Sequence, residues 1–217
     1  MLSSFLNQGV IPYILIFAVS LLCSYLSLGI LIPRLKRFGY VGKDMHKESK
    51  PEVAEMGGIG IVIGFSAGVL AAIILSTFFG LAFNITYVLA GLITIHALAF
   101  IGIIDDILDI PQWAKAFLPL FSAIPLIAVT AAGSTAMTIP FVGSVDFGLF
   151  YILILIPIGV AVASNLTNML AGFNGIEAGM GSIALIGMIA IASANQQPEM
   201  LVLYIPMLGA LLGFLPK

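Results

Sequence analysis

Three aspartates within five residues, Asp105, Asp106 and Asp109, form the densest group of carboxylates in the chain, and one lysine, Lys115, follows them. Carboxylates crowded at the end of an apolar segment repel one another unless a proton or a cation resolves the repulsion. Oxygen ligands of this kind suit Mg2+, which takes one or two carboxylates and completes its shell with water and substrate phosphate. The same spacing also fits aspartates that end a helix and face water, and spacing alone leaves both readings open.

The run NLTNMLAGFNGIEAG at 165–179 is the second candidate. Asn165 and Asn168 are three apart and share a helix face, whereas Gly172, Gly175 and Gly179 let backbone pass close to a ligand. Buried amides need partners, which a ligand or a neighbouring helix could supply. The third candidate is GKDMHKESKPEVAEMGG at 42–58, basic, broken by Pro51 and closed by Gly57 and Gly58. It can cradle an anionic ligand, or serve only as a solvated loop that attracts anionic head groups. His46 has no clustered ligands for a metal site, and His96, inside the membrane, is expected to hydrogen-bond to a neighbouring helix.

The elements that must position these groups follow from composition. Of 217 residues, 61% are hydrophobic and 8% charged, so lipid rather than water is the main solvent. Apolar stretches predict an all-α polytopic bundle of about seven spans, near 12–33, 58–79, 85–104, 114–132, 148–167, 179–195 and 199–215. The chain reads as one integral membrane domain over 1–217. Six of eight basic residues, Arg34, Lys36, Arg37, Lys43, Lys47 and Lys50, lie in the first loop, and Lys115 and Lys217 share its parity. The positive-inside bias therefore puts the candidate loops and the C-terminus in the cytoplasm, and the N-terminus outside.

Smaller features follow the same frame. Gly60, Gly64 and Gly68 recur every four residues, a stripe that lets helices approach closely. Residues 135–148 alternate around Pro140 and Gly143 and predict a short hairpin on the outer face. Trp113 reads as an interfacial anchor, and the Asn84 and Asn165 sequons as chance matches. Cys23 is the only cysteine, which rules out an intrachain disulfide. No basic patch for nucleic acid is present.

With these residues in view, three ordered blocks resemble the polyprenyl-phosphate N-acetylhexosamine-1-phosphate transferases: 42–58, FIGIIDDILDIPQWAKAFLP at 100–119, and 165–179. The Asn-Gly-Ile-Glu-Ala-Gly wording at 174–179 is similar to the archaeal and eukaryotic branch that uses UDP-N-acetylglucosamine (UDP-GlcNAc) and dolichyl phosphate. The bacterial cell-wall branch usually has aspartate at the place of Asn174. The resemblance implies that Asp105 and Asp106 are the catalytic carboxylates and Lys115 contacts phosphate. It further implies that Lys43, Asp44, Glu55, Asn165 and Asn174 meet substrate and that Asn168 helps hold Mg2+ or Mn2+.

The implied partners are UDP-GlcNAc, a polyprenyl or dolichyl phosphate, membrane lipid and a second copy in a homodimer. The implied place is a cell or endoplasmic reticulum membrane. A direct displacement suffices chemically, with an aspartyl-phosphate route through Asp105 or Asp106 as the other possibility. Such transferases have about ten spans of about 20 residues each. They carry a further metal-binding aspartate and a basic loop beyond the seventh, whereas this sequence stops at Lys217. The expectation is accordingly an N-terminal part of a longer transferase, inactive alone. A transporter or channel and an inactive truncated subunit are the competing readings.

Overall fold

The structure is a computed structural model that describes residues 9–43, 49–131, 135–170 and 175–217. Long apolar runs leave their backbone no partner in lipid except itself, so they form helices. These are α1 (Ile11–Arg37), α2 (Gly58–Phe79), α3 (Ile85–Leu108), α4 (Gln112–Ser122), α5 (Ile124–Thr130), α6 (Ile156–Leu170), α7 (Ile176–Ala194) and α8 (Pro198–Phe214). A π-helical turn, Tyr151–Leu155, leads into α6. Two antiparallel ribbons complete the chain, β1 (Val41–Lys43) with β2 (Glu52–Ala54), and β3 (Ala136–Ile139) with β4 (Gly143–Asp146).

Among the described residues, six helical segments are long and apolar enough to cross a membrane, and α8, with 17 residues, is shorter. The protein is therefore a multi-pass helical membrane protein. Each of the seven spans expected from the sequence has its helix. The fourth is α4 and α5 together, broken at Ala123 just before Pro125, whose ring lacks the amide a continuous helix needs.

Two span ends move. The first helix continues through Pro33 to Arg37 rather than stopping, so Arg34, Lys36 and Arg37 sit in its last turn, where cations complement the helix dipole. The third runs on to Leu108, placing Asp105 and Asp106 within its last turn. The β1–β2 ribbon was not expected; its strands are three residues long and carry charges, so no apolar alternation marks them.

The chain divides into two compact units, one of residues 1–88 and 170–217, the other of 89–169. In the first, the register of α1, α2, α7 and α8 can be read from glycines. A Cβ added at Gly64 would come within 2.7 Å of the Ser20 carbonyl, and one at Gly209 within 2.7 Å of the Phe17 carbonyl. Gly60 faces Leu28 and Gly68 faces Ser20, so α2 runs antiparallel to α1. Gly213 faces Leu21 and Tyr25, so α8 runs parallel to α1. Gly181 meets Leu211 and Gly175 meets Leu215, which sets α7 antiparallel to α8. The glycine stripe is thus packing surface.

Hydroxyls lock the same seam. Ser20 Oγ donates to the Pro206 carbonyl at 2.5 Å and Ser24 Oγ to the Ala210 carbonyl at 2.8 Å, with both serines fully buried. Ile16, Leu28, Phe65, Val69 and Val202 fill the space around them.

This arrangement gathers the C-terminus of α1, the N-termini of α2 and α7 and the C-terminus of α8 at one end of the unit. Arg34, Lys36, Arg37, Lys43, Lys50 and Lys217 all lie at that end, and Lys217 Nζ sits 3.7 Å from the centre of the Tyr25 ring. At the other end the Asn84 amide donates to Glu199 Oε1 at 3.0 Å, while Asn84 Oδ1 accepts from the Thr86 amide at 3.0 Å and caps α3.

Candidate active site at the Asp105–Lys115 turn

The second unit contains the carboxylate cluster. Its geometry begins with Asp109, whose left-handed backbone (φ 46°) ends α3 and whose amide donates to the Asp105 carbonyl at 2.8 Å. Pro111 then takes an extended conformation, and its carbonyl accepts from the amides of Ala114 at 2.8 Å and Lys115 at 3.2 Å, starting α4. The reversal needs three residues, and it returns Lys115 over the last turn of α3.

Lys115 Nζ stands 2.8 Å from Asp105 Oδ1 and 3.6 Å from Asp109 Oδ1. The two contacts differ in kind. Asp105 is about a quarter exposed and its Oδ1 is closed to water, whereas the Asp109 side chain is fully exposed. The ammonium at 2.8 Å is the charge that compensates the enclosed Asp105 oxygen. Asp106, about 100° further round the helix, is exposed. The adjacent aspartates thus occupy different surroundings, Asp105 held by an ammonium and Asp106 turned to the outside.

Asn165 and Asn168 both lie in α6, on one face. Asn165 Nδ2 donates to the Ala161 carbonyl at 2.8 Å, one turn back, so half of this amide is satisfied by its own helix. Asn168 is exposed. His96 also bonds within its own helix, one ring nitrogen lying 2.8 Å from the Leu92 carbonyl. Trp113 is largely exposed at the start of α4, as an interfacial side chain would be.

The remaining candidates belong to the first unit. Lys43 pairs in register with Glu52 across the β1–β2 ribbon, and both are exposed. The Glu55 amide donates to the Tyr40 carbonyl at 3.1 Å, and its carboxylate folds over Gly42, where an added Cβ would meet Oε1 at 2.6 Å. This close approach was missed in the sequence, although a glycine beside a charged strand is its one available sign. Gly175 opens α7 with φ 79°, and Glu177 sits in the first turn. Asp44 and Asn174 lie outside the described residues.

A metal ion can be tested against the donors. Asp105, Asp106 and Asn168 offer hard oxygens, the chemistry Mg2+ prefers. Among the described residues no three acidic, histidine or cysteine side chains come together as a cage. By type, Asp105, Asp106 and Asn168 fit the ligands that would hold such an ion.

In the second unit, paired carboxylates and a lysine at the end of one apolar helix and the start of the next are groups of the kind that handle phosphate at the edge of a bilayer. The pattern of glycosyl transferase family 4 matches residues 88–216, and the chain belongs to this family.

Its relatives are of consistent kind. One in Saccharolobus solfataricus, to which the name UDP-N-acetylglucosamine–dolichyl-phosphate N-acetylglucosaminephosphotransferase is provisionally attached, is 36% identical over 87% of this chain and 57% of its own length. The Dictyostelium discoideum protein of that name is 28% identical over 73% of this chain and 44% of its own. A phospho-N-acetylmuramoyl-pentapeptide-transferase of Halalkalibacterium halodurans is 31% identical over 86% and 60%. The chain spans about half the length of the curated relatives it matches.

Proposed function

We propose that the protein transfers N-acetylglucosamine 1-phosphate from UDP-GlcNAc to a polyprenyl phosphate of the dolichyl type, at the cytoplasmic face of its membrane. The observation that carries this reading is the Lys115–Asp105 pair folded across the turn, with Asp106 exposed beside it. The family and the names of its relatives supply the substrate class.

In this reaction an oxygen of the lipid phosphate attacks the β-phosphorus of UDP-GlcNAc. The bond from that phosphorus to the bridging oxygen breaks, UMP leaves with the electron pair, and one phosphoanhydride replaces another. A phosphate monoester has a second pKa near 6, so the nucleophile is mostly ionised at neutral pH and needs no strong base. Catalysis then rests on positioning and on neutralising phosphoryl oxygens.

Each residue's role follows from its surroundings. The Lys115 ammonium has three donors. Asp105 holds it in place from one side and leaves the others for a phosphate oxygen. Asp106 is exposed and, with Asn168 as a neutral oxygen, would help hold Mg2+. When bound, the ion would neutralise charge on the diphosphate. Lys43, Asp44, Glu55, Asn165 and Asn174 are proposed as contacts to the nucleotide sugar.

Titration of the purified chain in lipid nanodiscs with UDP-GlcNAc, with and without Mg2+, tests the reading. Saturable binding that tightens with Mg2+ and weakens in Asp106→Asn is expected. Binding indifferent to both would remove the carboxylate turn from the site.

A further inference from the structure

The β3–β4 ribbon lies at the other end of its flanking spans from the Asp105–Lys115 turn, and the proposed reaction gives it no task. Its register pairs Met137 with Val145 and Ile139 with Gly143, and between them Ala136 with Asp146 and Thr138 with Ser144. Side chains alternate across a strand, so one face carries Met137, Ile139 and Val145 and the other Thr138, Ser144 and Asp146. The tip is apolar too: Phe141, turned by a left-handed backbone (φ 68°), is 110% exposed and Val142 69%. No charged residue occurs from 116 to 145.

An isolated two-stranded ribbon is marginal in water and needs a cover for its apolar face. Here the chain itself indicates the cover. The ribbon leaves one membrane-crossing segment, Gln112–Thr130, and enters the next, Tyr151–Met169, through connections only a few residues long. It is therefore tethered at the bilayer surface. Just after the ribbon, Leu149 and Phe150 are 72% and 53% exposed and lead into the lipid-crossing helix. The polar face has its own anchor to water, because exposed Asp146 accepts hydrogen bonds from Thr135 Oγ1 and the Gly148 amide.

We infer that the β3–β4 hairpin docks on the bilayer, with Met137, Ile139, Val145 and the Phe141–Val142 tip set into the lipid interface on the side opposite the Asp105–Lys115 turn. This holds the ends of α5 and α6 at a fixed depth. The inference stands whether or not the proposed reaction is correct.

Fluorescence from a single indole tests it. In a Trp113→Phe background, Phe141→Trp and, separately, Val142→Trp are reconstituted in phosphatidylcholine nanodiscs. The emission should be blue-shifted and should lose most of its intensity when the lipid is brominated near the head group. Thr138→Trp, on the polar face, should ignore brominated lipid and be quenched by aqueous acrylamide. Acrylamide quenching at 141 and 142 without lipid quenching would place the tip in water and overturn the inference. A blue-shifted emission that neither quencher reaches would place a protein surface there, such as a second copy, and would overturn it equally.

Discussion

Lys115 Nζ lies 2.8 Å from Asp105 Oδ1 across a turn of three residues, while its contact to the fully exposed Asp109 is 3.6 Å. The turn thus separates three aspartates that look equivalent in sequence into one that holds the ammonium, one that faces outward and one at the surface.

That separation predicts an ordered mutational series in a protein carrying these loops at its relatives' full length. Asp105→Asn and Asp106→Asn should each lower transfer at least about a hundredfold, the usual cost of losing preorganised charge at a phosphoryl group. Asp109→Asn should cost less than about tenfold, because exposed ion pairs contribute little. Initial rates at saturating substrate rank the three, and equal losses would show that the turn does not sort them.

The α1–α2–α8 seam predicts a stability pattern. Gly64→Ala and Gly209→Ala would press a methyl against backbone carbonyls that cannot turn aside, and each should destabilise by about 1–3 kcal/mol. Gly187→Ala meets open space and should be neutral or slightly stabilising. Ser24→Ala removes the hydrogen bond to the Ala210 carbonyl and should cost about 0.6–1.7 kcal/mol, the range for bonds between helices in membranes. Unfolding in mixed micelles by denaturing detergent measures all four.

Asp146 gives a pH dependence. The Thr135 hydroxyl, and next the Gly148 amide, donate to its carboxylate and hold its pKa below the ordinary 3.8. A depressed folded pKa means that the stabilisation is fully present above the unfolded value and is lost as pH falls through the folded one. Hydrogen exchange at the Gly148 amide, corrected for intrinsic rates, should stay protected above about pH 4 and lose protection in stronger acid. Thr135→Val should move that loss to higher pH, and no movement would remove Thr135 as the cause.

Sidedness is also open to test. The basic residues fall in sequence loops of one parity, so cysteines introduced at Lys50, Trp113 and Gly175 of a Cys23→Ser protein should react with an impermeant reagent only from the cytoplasm. Labelling of any one from outside contradicts the proposed topology.

How far the sequence carries differs by element. Apolar length is a one-dimensional signal, so α2 was legible to the residue, and the hairpin at 135–148 showed in its alternation and its turn residues. The end of α1 was not legible, because the uncharged stretch stops at residue 33 whereas the helix carries Arg34, Lys36 and Arg37 in its last turn. The π-turn at Tyr151 and the fold of Glu55 over Gly42 depend on packing that no local pattern encodes.

At the site, residue types and spacing put Asp105 and Lys115 together. The division between Asp105 and Asp106 was not legible, because it depends on the left-handed Asp109 and the extended Pro111 that turn the chain.

The most direct measurement follows the nucleotide product. Membranes containing a protein with these loops at its relatives' full length are supplied with radiolabelled UDP-GlcNAc, polyprenyl phosphate and Mg2+. Lipid-extractable label should accumulate with an equal amount of UMP, and chelating Mg2+ should stop both. Equal release of UDP instead would mean that sugar moves without its phosphate, and would contradict the proposed reaction at its central bond.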